Sequence, residues 1–216
     1  MSGMAQSLSP PAERLAAWID RLVHGLARHW LLIFNLLVGL YLAMPLAAPW
    51  LMHSGHTRAG RLIYLLYRPM CHQLPDRSFF LFGRKAVYSL EELDAAGVLP
   101  GLALYERRKF VGNEHLGYKV AICQRDVATW GAILLTGLLF GLTRRRWRPL
   151  ALRWYVLFLV PLAVDGTTQL LGLRESNWML RTISGGLFGV ATVWLAYPYV
   201  ERAMEEVLQG HREEAR

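Results

Sequence analysis

Two short segments of this chain concentrate the side chains that could do chemistry. The first, PMCHQLPDRS, places Cys71 beside His72, and the second, ICQRD, places Cys123 close to Arg125 and Asp126. A thiol can form a disulfide, react as a thiolate where its pKa is low, or bind a soft metal ion. The two segments therefore predict a cross-link, a redox pair or a metal site.

The spacing of these residues leaves all three interpretations open. A disulfide between Cys71 and Cys123 is the first, because it would tie a loop to the start of a helix. A redox pair would need a lowered thiol pKa, which Arg125 and His72 could supply. The candidate metal ligands are Cys71, His72, Cys123 and Asp126, with His53, His56 and His115 as further possible members.

A third polar group lies inside an apolar segment near the C-terminus. Asp165 and Gln169 are four residues apart and share one helix face. A lone carboxylate in such a segment is costly, so Asp165 should be buried and within ion-pair reach of Arg125 or Arg181. One interpretation is architectural: Asp126 and Asp165 neutralise the arginines. The other is a polar pocket in which the arginines bind an anion and the carboxylates handle protons.

The remaining polar residues of these segments are candidates for contact with a ligand. They are His72, Gln73, Arg77, Ser78, Arg125, Gln169, Asn177 and Arg181. The candidates for a catalytic role are Cys71, Cys123, Asp126 and Asp165. The chain has no nucleotide-binding loop, serine elbow, HExxH motif or CxxCH motif, so no motif requires a cofactor and enzymatic activity stays undecided.

The composition indicates the elements that must position these residues. Of 216 residues, 54% are hydrophobic and only 19% are charged, whereas soluble domains average roughly 25% charged. A soluble domain of this size cannot bury so much apolar surface, so the chain is a polytopic membrane protein. The net charge of +8 is assigned to lipid head groups rather than to nucleic acid, because no nucleic-acid-binding pattern accompanies it.

The predicted fold is an all-α integral membrane bundle of four transmembrane helices. The spans are residues 30–52, 121–142, 150–173 and 181–200. Residues 12–29 have apolar positions at helical spacing and are expected to form an interfacial helix. The division of the chain is an N-terminal segment 1–29, a membrane domain 30–200 with a long outer loop 53–120, and a tail 201–216.

The outer loop has local structure of its own. Residues 61–68 are expected to form a short helix, and Ser89 has the signature of an N-cap that opens another. Residues 109–122 alternate like a strand around glycine turns, which favours a hairpin.

The connection at 143–153 sets the orientation, because it has five arginines in eleven residues. The positive-inside rule makes this loop cytoplasmic, and four spans then put both termini in the cytoplasm. The outer loop has ten Lys or Arg, but it exceeds the length over which the rule counts reliably. All the unusual polar residues then lie on the outer side of the membrane, where Cys71 and Cys123 should be neighbours.

The fourth span begins with a run of small residues. Gly185, Gly186 and Gly189 are expected to make the closest backbone contact in the bundle, against the second or third span.

Three motifs together carry a resemblance to a known family. They are PMCHQLPDRSF, AICQRD and DGTTQ, followed by RESN at 174–177. Over residues 60–200 the chain resembles the DUF2085 family of bacterial and archaeal membrane proteins. The resemblance implies a prokaryotic cytoplasmic membrane and no particular reaction. Many relatives have a second cysteine in a Cys-x-Arg-Cys element where this chain has Asp126, which can ligate a metal but cannot form a disulfide.

Three kinds of function remain at this stage. The polar outer pocket could do redox, metal or catalytic work, or it could bind a lipid or quinone without chemistry. Alternatively, the chain is an accessory or assembly subunit of a larger membrane complex, and the cluster and a disulfide are structural. The expected partners are the lipid bilayer and, in the last case, other membrane subunits.

Overall fold

The computed structural model describes residues 10–98 and 103–214, which are mostly helical with one small sheet. Residues 1–9 and 215–216 of the predicted terminal segments, and 99–102 of the predicted outer loop, lie outside the described residues. The helices are α1 (Pro10–His53), α2 (Thr57–Tyr67), α3 (Leu90–Ala95), α4 (Leu104–Arg107), α5 (Gln124–Thr143), α6 (Leu152–Leu170) and α7 (Trp178–Glu214). The strands are β1 (Ser78–Leu81), β2 (Gly112–Asn113) and β3 (Gly117–Cys123).

Three helices of the described chain are long and apolar enough to cross a membrane. They lie within α1, α5 and α7. The third predicted span corresponds to α6, which has 19 residues, or about 28 Å of helix. Arg153, Asp165 and Gln169 lower its apolar character, and it is not among the three.

The first helix is one continuous element. α1 has 44 residues, about 66 Å at 1.5 Å per residue, whereas the apolar core of a bilayer is about 30 Å thick. The prediction that residues 12–29 are helical is confirmed. This helix leads into the first span without a turn or cap, and its place at the membrane interface stays a prediction.

The sheet changes the start of the second span. β3 is the central strand, and β1 and β2 pair with it in antiparallel register, with Ser78 opposite Cys123 and Gly112 opposite Tyr118. Residues 121–123 were predicted to be helical, but they continue β3 because β1 supplies a pairing partner 45 residues away, with Ser78 opposite Cys123. The helix begins only after Cys123, which has extended backbone angles and acts as the N-cap.

The local structure of the outer loop follows the sequence. The predicted short helix is α2, and the predicted hairpin is β2–β3. Ser89 caps α3 by a reciprocal pair of hydrogen bonds with Glu92. Gly117, which has φ +80°, lies against the backbone of Gly83, and an added Cβ would come within 2.5 Å of the Gly83 nitrogen.

The closest contact between long helices joins α5 to α7. A Cβ atom built on Gly185 would lie 2.6 Å from the Arg125 carbonyl oxygen, and one built on Gly189 would lie 2.5 Å from the Thr129 carbonyl oxygen. The prediction for these two glycines is confirmed. It is wrong for Gly186, whose Cβ position has no neighbour within 4 Å because it lies on the other side of the helix.

The far end of α5 and α7 packs through aromatic rings. We call Trp30, Phe140, Trp147 and Tyr197 the aromatic cluster. The rings of Trp30 and Tyr197 meet edge to face at 5.4 Å, and those of Phe140 and Tyr197 at 5.6 Å. Phe140 is fully buried, so this end of the bundle has an ordinary apolar core.

Candidate functional site

A cavity of about 590 Å³ lies where α5 begins, α6 ends and α7 begins. The segment that follows α2 forms the remaining wall. We call this space the arginine cavity, because Arg77, Arg125 and Arg181 line it. Its other lining residues are Met70, Cys71, His72, Leu74, Cys123, Asp126, Gly166, Gln169 and Leu170. The cavity unites residues from all three sequence motifs.

The two cysteines are neighbours in the wall of this cavity, as predicted. The sulfurs of Cys71 and Cys123 and a carboxylate oxygen of Asp126 all lie within 4.8 Å of one another. The backbone N–H of Cys123 donates to the Cys71 sulfur at 3.2 Å, and that of Asp126 donates to the Cys123 sulfur at 3.4 Å. Both thiols are free, so the structure does not contain the predicted disulfide.

The environment of Cys123 does not favour a reactive thiolate. A hydrogen bond with the Cys71 thiol raises the pKa of Cys123, and burial and the nearby Asp126 raise it further. The redox interpretation required a lowered pKa from Arg125 and His72. Arg125 instead forms an ion pair with Asp165, and the His72 side chain is exposed to solvent.

The position of Cys71 is fixed by its neighbours in the chain. Gln73 has a positive φ of +51°, and its buried side-chain amide donates to the carbonyl oxygens of Tyr64 at 2.8 Å and Ala121 at 2.9 Å. Arg108 closes the other side, donating to the Cys71 carbonyl oxygen at 3.3 Å. These contacts bind the segment to α2 and β3, so Cys71 is held over the start of α5.

Asp165 is the centre of the ionic network behind the cavity. It is only 2% exposed, and it forms ion pairs with Arg125 and with Arg174, the latter at 2.8 Å. The hydroxyl of Ser176 donates a third hydrogen bond at 2.9 Å. The predicted burial and the predicted pair with Arg125 are confirmed, whereas Arg181 does not bind this carboxylate in the described chain.

Arg181 and Arg77 both line the cavity, but they have different hydrogen-bond partners. Arg181 is 5% exposed and donates to the Asp76 carbonyl oxygen at 3.1 Å and to Gln124 Oε1 at 3.3 Å. Arg77 pairs with the Asp76 carboxylate at 3.3 Å. With its amide oxygen turned towards Arg77, Gln169 accepts from Nη2 at 2.8 Å.

Several sequence candidates lie outside the lining of the cavity. Gln73 supports the backbone as described, and Ser78 donates to the Leu74 carbonyl oxygen at 3.0 Å. Asn177 accepts from the Leu180 N–H at 2.9 Å and so caps the first turn of α7.

His53 stacks on Phe82 with ring centres 4.4 Å apart. His56 and His115 also lie outside the lining of the cavity. None of these residues belongs to the group of three potential metal ligands found in the described chain.

Sequence reasoning missed a buried lysine beside the site. Lys119 is fully buried in β3, and its amine donates to the carbonyl oxygens of Gln73 at 2.5 Å and Arg108 at 3.0 Å. Burial lowers its pKa from 10.5 to about 7. A neutral amine has two N–H donors, which matches the two acceptors. The alternation of residues 117–123 predicted a strand with one buried face. It did not indicate that residues on both faces of β3 are buried, Lys119 among them.

The family model described as "Predicted membrane protein (DUF2085)" matches residues 108–195. This match and the archaeal relative described below support a DUF2085 family assignment. The matched part covers β3, α5 and α6 and includes Cys123, Asp126 and Asp165, while Cys71 and Arg77 lie before it. The assignment agrees with a membrane protein that has apolar helices.

One archaeal relative extends the similarity beyond the matched region. The chain is 28% identical to Uncharacterized protein MJ1492 of Methanocaldococcus jannaschii over 178 residues. The alignment covers 79% of this chain and 92% of that protein. No solved structure matches the chain.

Proposed function

We propose that this DUF2085 protein binds a thiophilic divalent cation, Zn²⁺ in the first instance, in the wall of the arginine cavity. The ligands are the sulfurs of Cys71 and Cys123 and a carboxylate oxygen of Asp126. The observation that supports this is the convergence of these three atoms within 4.8 Å, although the residues come from a loop, a strand end and a helix.

The spacing suits one ion after small side-chain rotations. Zinc–sulfur bonds of about 2.3 Å in a tetrahedral site separate two sulfurs by about 3.8 Å. Two thiolates select zinc and similar soft ions over magnesium or calcium, which prefer oxygen. Three protein ligands leave the fourth position open to the cavity, as in sites where zinc meets water or a substrate.

Asp126 favours a metal over a disulfide relay. The resemblance to relatives with a Cys-x-Arg-Cys element implies that a third cysteine can stand at this position. Aspartate and cysteine share the capacity to ligate a metal, whereas only cysteine can form a disulfide. A site that accepts either residue is therefore easier to explain as a metal site.

The topology that accompanies this proposal has four spans and both termini in the cytoplasm of a prokaryotic cell. α6 exposes an apolar face suited to lipid, which includes Val156, Leu157, Val160 and Val164. The arginine-rich connection between α5 and α6 lies at the opposite end of α5 from Cys123. With that loop inside, the arginine cavity opens on the outer side.

Metal analysis tests the binding proposal. Protein purified in detergent is stripped with a chelator, loaded with Zn²⁺, passed through a desalting column and measured by mass spectrometry for metal. We expect about one zinc per chain, and Co²⁺ loading should give the charge-transfer absorption of thiolate ligands. Cys71→Ser and Cys123→Ser should abolish stable binding, and Asp126→Asn should weaken it about tenfold or more.

The matched control is Asp94→Asn, which removes an exposed carboxylate from α3 in the same outer loop. It should bind zinc as the wild type does. Wild-type protein that binds no zinc, or variants that keep all of it, would contradict the proposal. A Cys71–Cys123 disulfide in protein isolated under non-reducing conditions would contradict the metal site. It would favour a redox-active dithiol pair or a structural cross-link in a subunit of a larger complex.

Labelling from outside intact cells tests the orientation. An Asp94→Cys substitution in a Cys71→Ser, Cys123→Ser background places one thiol in α3. We expect a membrane-impermeant maleimide to react with it in intact cells. Reaction only after permeabilisation would invert the topology and place the arginine cavity on the cytoplasmic side.

A further inference from the structure

Arg181 is a buried cation whose direct partners are neutral. Its two acceptors are a backbone carbonyl and an amide oxygen, and its Nε has no partner. Within residues 10–98 and 103–214, no carboxylate oxygen lies within 4.0 Å of this guanidinium. Burying a charge in this way is costly unless an opposite charge joins it.

The carboxylates near Arg181, those of Asp76 and Asp165, form ion pairs with other arginines. Arg77, Arg125, Arg174 and Arg181 lie in or behind the cavity wall, against the carboxylates of Asp76, Asp126 and Asp165. Asp165 is shared by two of the arginines, and Asp126 has no ion-pair partner in the described chain. The lining of the arginine cavity itself has three arginines and one carboxylate before any metal is bound, and a bound divalent cation would add to its positive charge.

The arginine cavity is a better place for an anion than the neighbouring space. Arg181 also lines a second cavity of about 420 Å³, but Asp76, Glu92 and Glu175 line that one and would repel an anion. In the arginine cavity, Arg181 is joined by Arg77 and Arg125, and Asp126 is the one acidic residue in the lining.

We propose that the arginine cavity binds a phosphate oxyanion, with Arg181 as its buried anchor and Arg77 and Arg125 as further ligands. Guanidinium groups present paired N–H donors that match phosphate oxygens, which is why arginine predominates where phosphate is recognised. The binding does not depend on the proposed metal, because the excess of positive charge exists without it.

The rim of the cavity suggests which kind of molecule carries the phosphate. Met70 is 65% exposed and Leu170 is 87% exposed, and both line the opening. Apolar side chains beside an arginine cluster would suit the head group of an anionic phospholipid with its acyl chains outside the cavity. Free phosphate presents the same oxyanion without the acyl chains, so the two sources can be distinguished.

Binding is tested on the full chain, delipidated in a non-ionic detergent and kept in a chelator so that metal occupancy plays no part. The probes are inorganic phosphate, phosphatidylglycerol, and diacylglycerol as the lipid without phosphate. Thermal unfolding and native mass spectrometry report binding. We expect phosphate, phosphatidylglycerol or both to bind and to raise the unfolding midpoint, and diacylglycerol to do neither.

The variants assign the binding to the cavity. Arg181→Gln should weaken binding about tenfold or more, because it removes the buried positive charge that donates to the phosphate. Arg77→Gln is the second variant in case Arg181→Gln does not fold, because the Arg77 side chain is 37% exposed. Arg58→Gln is the matched control, since it removes the same charge from an exposed position on α2.

The outcomes distinguish free phosphate from a phospholipid head group as the ligand, and they show when the proposal fails. Binding of phosphate alone identifies a free oxyanion, binding of phosphatidylglycerol alone identifies a lipid head group, and binding of both identifies the shared group. The proposal is overturned if neither phosphate nor phosphatidylglycerol binds, or if the wild type, Arg181→Gln and Arg77→Gln bind equally well. None of these results depends on whether zinc binds to the cysteines.

Discussion

The two ends of the α5–α7 pair are stabilised by different interactions. At the start of both helices, Arg125 forms an ion pair with Asp165, which Arg174 shares, and the buried Arg181 donates to Gln124. At the other end, Phe140 and Tyr197 pack edge to face, and the nearest carboxylate, Glu201, is partly exposed. Both ends belong to the same two helices, yet only one contains buried charge.

The comparison shows that the bundle does not need buried ions in order to pack. A buried ion pair often stabilises a fold no more than apolar residues of the same volume would. Since the aromatic cluster achieves the packing without ions, the buried charges around the arginine cavity agree with the proposed binding role. Variants at the two ends test whether buried charges and aromatic packing contribute differently to stability.

The largest expected effect comes from Asp165→Ala. The substitution leaves Arg125 and Arg174 without their shared carboxylate, and breaking a buried pair in this way costs about 3–5 kcal/mol. The unfolding midpoint in detergent and the yield of monodisperse protein measure it. A variant as stable as the wild type would show that the network is not required for folding.

A pH-dependent effect should appear at Lys119. Its pKa is about 7 in the folded protein against 10.5 for the ordinary group. Between these values the unfolded chain binds a proton that the folded chain does not, so stability rises with pH in this window. Relative to Lys119→Met, the wild type should gain about 1.4 kcal/mol per pH unit, or about 2–3 kcal/mol from pH 7 to 9.

Denaturant unfolding of both proteins across this pH range, with a chelator present, gives the difference directly. Below pH 7, Lys119 is protonated in both states and the difference should level off. A difference that stays flat from pH 7 to 9 would show that the buried amine is charged in the folded protein.

Two neighbouring glycines of α7 should respond in opposite ways. Gly189→Ala forces a methyl group against the Thr129 carbonyl oxygen, and such overpacking costs about 1–3 kcal/mol. Gly186→Ala meets open space and should be neutral or stabilising by up to about 1 kcal/mol, because alanine favours a helix. Thermal unfolding of the pair measures both, and equal destabilisation would contradict the α5–α7 contact.

The smallest effect is expected at the aromatic end. Glu201→Gln removes the ion pair with Arg144, whose side chain is 40% exposed, while the amide can still accept from Trp30. An exposed pair contributes about 0–1 kcal/mol and is screened by salt. The loss should therefore disappear in concentrated salt, and a loss approaching that of Asp165→Ala would remove the contrast between the two ends.

The long-range features that the sequence predicted well depended on simple physical constraints. Asp165 had to be paired because an isolated carboxylate in an apolar helix is costly, and Arg125 is one of its partners. Cys71 and Cys123 were predicted to be close because the predicted topology puts both on the same side of the membrane, and their sulfurs lie within 4.8 Å of each other. Helix spacing also indicated that small residues of α7 meet another span, as Gly185 does.

Other features depended on partners that no local pattern specifies. The strand β1 was missed because its four residues become a strand only by pairing with β3. Lys119 was missed because its burial depends on backbone carbonyls 46 and 11 residues away. The role of Gly186 was wrong because three closely spaced glycines cannot all face one neighbour on a helix with 3.6 residues per turn.

Because α6 contains the charged residue Asp165 in an otherwise apolar stretch, the order of synthesis should matter for its membrane insertion. A charged residue near the middle of a helix opposes translocon-mediated insertion by up to about 3.5 kcal/mol, and α6 has Asp165 with no cation of its own beside it. Arg125 is synthesised earlier, at the start of α5, and Arg174 follows directly after α6. We expect α6 to enter the bilayer inefficiently alone and efficiently as a hairpin with α5. Glycosylation mapping of the two fragments in microsomes would measure the difference.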